Sequence, residues 1–187
     1  MSLIYIKNMV CPRCIVAVKD ALAQEGIGFT SVELGKVQLQ QDLGHEQKKN
    51  LMGILKSKGF ELLESPSAAL ISQIKALIVS QIHHSDKLIH VNFSTFLSQE
   101  IGQEYTSMSR LFSQVEGITI EKYITQQKTE KVKELLIYDE LSLSEIADKL
   151  NYSSMAYLSS QFKKETGMTP TEFKKQAKPH RKGLDEI

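Results

Sequence analysis

No apolar run in the 187 residues approaches the roughly 18 that cross a bilayer. The N-terminus MSLIYIKNMV has no basic start, long apolar stretch or small-residue cleavage site, so a cytoplasmic protein is expected. Charge of one sign is also missing: 23 Lys and Arg face 22 Asp and Glu, and overall charge therefore points to no partner. Cysteine is scarce. Cys11 and Cys14 alone, three positions apart in a chain expected to be intracellular, argue for reduced thiols with a metal or redox role over a structural staple. A four-ligand zinc finger is excluded, since there is one pair. The sequence contains no paired carboxylates, Ser/His/Asp arrangement or glycine-rich phosphate loop, and an enzyme is not expected. What is present is ordinary: 41% hydrophobic and 24% charged residues, enough apolar material for one domain or two small ones.

Periodicity divides the chain. Leu3, Tyr5 and Lys7 alternate with Ile4, Ile6 and Asn8 as in a strand, after which Ile15, Val18, Ala21 and Leu22 recur at helical spacing until Gly26. Phe29 to Leu34 and Lys36 to Gln40 read as strands parted by Gly35. His45 to Lys58 reads as a helix, and Phe60 to Leu63 as a last strand. That βαββαβ order usually closes as a ferredoxin-like antiparallel sheet. Ser65-Pro66-Ser67 marks a boundary, and the apolar stripe Ala69, Leu70, Ile74, Leu77, Ile78 and Ile82 then reads as a helix joining two halves. The expected class is α+β: a ferredoxin-like βαββαβ domain over residues 1–65, a joining helix over 66–85, and an all-α domain over 86–187.

The helical half nearly repeats itself. LFSQVEGIT (111–119) matches QFKKETGMT (161–169), and LSQEIG (97–102) faces IADKLN (146–151). Each copy reads as a short helix, a tight turn and a second helix. Gly102 and Asn151, the residue types most tolerant of positive φ, stand at the two turns. Met108, Leu111 and Phe112 anchor one second helix inward, Leu158 and Phe162 the other. Ile120 to Tyr138 is long enough for a rigid spacer, and Ser142-Leu143-Ser144-Glu145 and Thr169-Pro170-Thr171-Glu172 have capping-box form. A major groove about 12 Å wide admits one helix, so two such helices on a stiff spacer suit successive groove segments of double-stranded DNA.

On the residues YTSMSRLFSQVEGITIEKYI (105–124) and SLSEIADKLNYSSMAYLSSQFKKETGMTPTEFKK (142–175), the C-terminal hundred residues resemble the AraC/XylS family of transcription regulators. The resemblance implies base reading by Thr106, Ser107, Ser109 and Arg110 in the first motif, and by Ser154, Met155, Ala156 and Ser159 in the second. It also implies phosphate contacts at Lys128, Lys163 and Lys164, which position without specifying. Ser160, Asn151 and Thr129 depart from the family's usual arginine, glycine and apolar residue. Between residues 160 and 182, Lys163, Lys164, Lys174, Lys175, Lys178, Arg181 and Lys182 outnumber Glu165 and Glu172; such a run by itself reads as a solvated face and tail.

Met9-Val10-Cys11-Pro12-Arg13-Cys14 lies where the first strand gives way to the first helix. Two thiolates in such a loop suit one soft ion, Cu(I) before others, and the helix N-terminus with Arg13 favours the thiolate form. With the βαββαβ order and Gly59-Phe60, residues 1–65 resemble the heavy-metal-associated domain of copper chaperones, whose loop reads MxCxxC. That resemblance implies metal binding by Cys11 and Cys14. Thiol–disulfide exchange stays open beside it, although no tryptophan precedes the pair. Met9 reads as a core anchor, and His83, His84 and His90 read as solvated surface on a joining helix.

The expected function is a DNA-binding transcription regulator responsive to a soft metal ion or to thiol state through Cys11 and Cys14. The rival is a metal carrier or thiol–disulfide module whose helical half binds a protein, favoured slightly by six Lys/Arg against eleven Asp/Glu between residues 86 and 148. Pairing into a homodimer and a metal-handling protein partner are both left open.

Overall fold

A computed structural model describes residues 2–85 and 91–175. His90, Lys178, Arg181 and Lys182 lie outside the described residues. The N-terminal part runs β1 (Leu3–Lys7), α1 (Pro12–Gln24), β2 (Phe29–Glu33), β3 (Lys36–Leu39), α2 (His45–Ser57) and β4 (Glu61–Leu63). The strands form one antiparallel sheet in the order β2-β3-β1-β4, with Ile4 opposite Val37 and Ile6 opposite Leu62. Period-2 alternation therefore sends Ile4, Ile6, Val37, Leu39 and Leu62 to one face. Val18, Ala21 and Leu22 of α1 and Leu51 and Leu55 of α2 close the core there. Met9 is 3% exposed and belongs to this core, as an unbranched gap-filler would.

The other face of the sheet is crossed by α3 (Pro66–Val79), which packs on β1 and β4. Ser65 caps that helix, its hydroxyl accepting from the Ala68 N–H at 3.0 Å, and Pro66 supplies a first position that needs no N–H. The Ser-Pro pair is thus a helix start as much as a boundary. The β2–β3 turn comes close to α3: Gly35 has φ +76°, and a Cβ built there would stand 3.3 Å from the Ala76 Cβ. One π-helical turn, Ser80–His84, continues α3.

The rest is helical: α4 (Phe93–Ile101), α5 (Tyr105–Glu116), α6 (Ile120–Tyr138), α7 (Leu143–Lys149), α8 (Met155–Thr166) and α9 (Pro170–Lys174). Two apolar clusters hold it together. Ile71, Ile74, Ile78 and Ile82 from α3 and the π turn pack with Leu97, Met108, Phe112, Ile120 and Tyr123. Val132 and Leu136 pack with Ile146, Ala147, Leu158, Phe162 and Phe173. α6 gives its first half to one cluster and its second half to the other, so a single rigid element carries both.

Candidate nucleic-acid interface

Both turns of the repeat take the left-handed conformation, Gly102 at φ +73° and Asn151 at φ +53°. A left-handed residue thus ends the first helix of each motif, α4 and α7, ahead of α5 and α8. The second helices end alike, on Gly117 and Gly167 at positive φ. Thr119 and Thr169 then cap α6 and α9, accepting from Lys122 and Glu172 N–H groups at 3.1 and 3.3 Å. Equivalent sequence has produced equivalent geometry twice.

On α5, Met108 and Phe112 are fully buried while Thr106, Ser107 and Arg110 are exposed and Ser109 is half-buried. On α8, Leu158 and Phe162 are buried while Ser154, Met155, Ala156, Lys163 and Lys164 are exposed and Ser159 is half-buried. Each second helix thus shows a short-chain, mostly polar face outward, the chemistry that reads base edges. Tyr157, 53% exposed on the first turn of α8, shares that face, its ring 6.2 Å from that of Tyr152. It escapes a period count because it directly precedes the inward Leu158.

Lys128 is placed differently from the other basic residues assigned from sequence. Its ammonium lies 4.8 Å from the Tyr152 ring centroid and 5.9 Å from that of Phe93. Burial pushes its pKa down to about 8. Phe93 begins the first motif and Tyr152 follows the turn of the second, so this cation sits between the two motifs. Lys122 near the start of α6 holds both carboxylate oxygens of Glu165 on α8 at 2.7 Å. Tyr105 at the start of α5 donates to Glu121 on α6. The spacer is tied to both second helices by polar contacts as well as apolar ones.

In the N-terminal part, β1 is a central strand that feeds directly into the cysteine loop. Asn8 adopts φ +70° and donates through Nδ2 to the Gly59 carbonyl at 3.0 Å. Cys11 is the N-cap of α1 and Pro12 its first residue. The Sγ atoms of Cys11 and Cys14 are 3.4 Å apart, both half-buried. For Cys11, partial burial would raise the pKa, but the Cys14 thiol, the backbone N–H groups of Cys14 and Arg13, and the Arg13 charge together bring it below the ordinary value. Cys14, more deeply placed, is raised by burial. Two adjacent soft donors, one of them favouring the thiolate, fit a two-coordinate soft ion. No group of three or more His, Cys, Asp or Glu suited to a metal occurs among the described residues.

The histidines correct an expectation. His83 is not solvated surface: burial holds its pKa near 4, and its Nε2–H donates to Gln127 Oε1 at 3.0 Å. His84 is exposed, and its Nε2–H donates to the Val10 carbonyl at 2.7 Å. The helix continues as a π turn and packs against α6, which a helical-period count cannot reveal.

Residues 97–176 match a family described as "Helix-turn-helix domain". The chain is 34% identical over 71 residues to the bifunctional transcriptional activator/DNA repair enzyme AdaA of Bacillus subtilis (strain 168), covering 38% of this chain and 34% of that protein. It is 35% identical over 74 residues to the xylose operon regulatory protein of Escherichia coli (strain K12), covering 40% of this chain and 19% of the other. The chain therefore spans about a third of one of these relatives and about a fifth of the other. A transcriptional regulator structure from Chromobacterium violaceum, described as an AraC-type DNA-binding domain-containing protein, superimposes with a TM-score of 0.50. It is 20% identical and covers 62% of this chain and all of that one, a likeness of fold. Among the described residues no helix is long and apolar enough to cross a membrane.

Proposed function

We propose, from the helix-turn-helix match over residues 97–176, that the protein is a sequence-specific DNA-binding transcription regulator of the AraC/XylS type. One observation carries this reading: two second helices, each with its apolar side buried and a short-chain polar side outward, hang on the same spacer α6. Such a pair grips neighbouring major-groove segments of one duplex. Arg110 offers a bidentate donor fork for a guanine edge, and Thr106, Ser107 and Ser109 supply adaptable hydroxyls beside it. Ser154, Met155, Ala156 and Ser159 form the second reading face, with apolar contact to thymine methyl groups at Met155 and Ala156. Lys163 and Lys164 stand at the phosphates, and Lys128 supports them from between the motifs. Binding to duplexes selected from a random pool tests this. The log of affinity should fall linearly with log salt, and Arg110→Ala should weaken selected over unselected sequence by about 1 to 3 kcal/mol. Lys163→Ala should weaken both alike. An Arg110→Ala protein with undiminished selectivity would refute the site.

The N-terminal part we read as a ferredoxin-like, heavy-metal-associated domain whose Cys11 and Cys14 hold a soft ion, Cu(I) before others. Its support is the strand order β2-β3-β1-β4 and the thiol pair on the loop after the central strand. A soft cation there cancels thiolate charge and ties the loop to the first turn of α1. Arg13 and the α1 N-terminus favour the thiolate. Titration with Cu(I) under reducing conditions should show one ion bound per chain, and Cys11→Ser/Cys14→Ser should lose it. Equal uptake by both proteins removes the metal reading.

A further inference from the structure

We propose that the π turn Ser80–His84 is the relay by which the state of the Cys11–Cys14 loop reaches the spacer helix of the DNA-binding part, with His84 and His83 as its two contacts. The inference rests on the reading of that loop as a sensor. Two consecutive side chains of the turn reach in different directions: His84 donates to Val10, the residue before Cys11, and His83 donates to Gln127 in the middle of α6. Consecutive residues of a helical turn project in different directions from one rigid backbone, so a change in winding or rotation of the turn moves both contacts together. π segments are rare, mostly single-turn departures from the α ladder, and they occur frequently at functional sites. Here the turn lies between the cysteine loop and the middle of α6.

Three features make the path able to move. Val10 lines a cleft of about 250 Å³ shared with Ser72 and Ala76 of α3, Glu116 of α5 and Tyr123 of α6, which leaves the loop room to shift. Ile82, inside the turn, is 7% exposed and packed in the first motif's cluster, so rotation of the turn is felt by the core beneath α5. The Gln127 side chain is fully buried, its carbonyl oxygen facing His83 and its amide nitrogen facing the Tyr123 hydroxyl. Turning that amide over and moving the His83 proton to Nδ1 exchanges donor and acceptor, a second arrangement of the same pair. Coupling needs such a two-state element, biased at both ends. His83 and His84 are positioning residues: neither lies on the exposed reading faces of α5 and α8.

The full chain tests this, with Cu(I) as probe and a duplex selected from a random pool as target. In the wild type, Cu(I) should change DNA affinity by about fivefold or more. His84→Phe keeps a ring without the donor; it should bind Cu(I) and DNA separately as the wild type does, with the Cu(I) effect on DNA falling to within twofold. His84→Gln, which restores an N–H, should recover the effect. A full Cu(I) effect in His84→Phe overturns the relay and leaves the sensor standing. Absence of any effect in the wild type, either with Cu(I) or after oxidation of the thiols to a disulfide by diamide, overturns both. Without any metal, His84→Phe should also shift the side-chain amide resonances of Gln127. Unmoved Gln127 resonances overturn the relay whatever the metal does.

Discussion

His83 carries the most testable single-residue consequence. Burial, with the charges of Lys131 and His84 adding, brings its pKa from 6.5 to about 4 against the opposing pull of Gln127 and Glu134. Between those values the unfolded chain binds a proton that the folded chain does not. The stability this contributes is complete above the unfolded value and drains away as pH falls towards the folded one. At pH 5 the loss is about 2 kcal/mol. His83→Gln cannot titrate yet keeps a donor for Gln127, and its urea midpoint should therefore change less between pH 7 and pH 5 than the wild type's. Little at this scale could be read in advance. A histidine after an apolar stripe looks the same whether water or α6 lies beside it, and Lys128 looks like any surface cation until Phe93 and Tyr152 are folded against it. Arg110 and the hydroxyls of α5 were legible, because an amphipathic period states which side faces out.

At the scale of elements the sequence was an accurate guide wherever local chemistry decides. The span of α6 coincides with the periodic stretch, and the Ser142–Glu145 and Thr169–Glu172 boxes close as their letters suggest, with Glu145 and Glu172 each accepting a backbone N–H at 2.7 Å. The paired turns give a clean comparison. Gly102 has open space where a Cβ would go, so Gly102→Ala should cost about 1 kcal/mol through its left-handed backbone alone. Asn151→Gly should gain a few tenths of a kcal/mol by the same argument. Thermal midpoints of the two variants, moving in opposite directions, would check the equivalence of the motifs. The π turn was illegible, since its extra residue per turn arises from where α3 and α6 must both be met.

For the molecule as a whole, α3 is the element that matters most and advertises itself least. Read along the chain, it joins two halves; in space, it covers the second face of the sheet and supplies Ile71, Ile74 and Ile78 to the first motif's core, with Ile82 following from the π turn. A chain shortened to begin at residue 91 loses all four isoleucines, each worth about 2 to 5 kcal/mol by large-to-small measures. Against a domain stability of about 5 to 15 kcal/mol, that fragment should fail to give a cooperative melt, whereas one beginning at residue 64 should melt cooperatively. Calorimetry on both fragments decides the matter; a cooperative 91–187 fragment would mean that α3 is dispensable to the first motif.

Periodicity, capping chemistry and the internal repeat, all properties of residues within a few positions of one another, determined the strands, the helices, the paired turns and which side of α5 and α8 looks outward. Tertiary structure alone decided that α3 covers the second face of the sheet while feeding the first motif's core, that Lys128 lies between two aromatic rings and that His84 touches the cysteine loop while His83 touches α6. The two histidine contacts join residues 44 and 74 positions apart, and no local pattern encodes any of these contacts, because the free energy that selects them comes from surfaces that exist only once the chain has closed on itself.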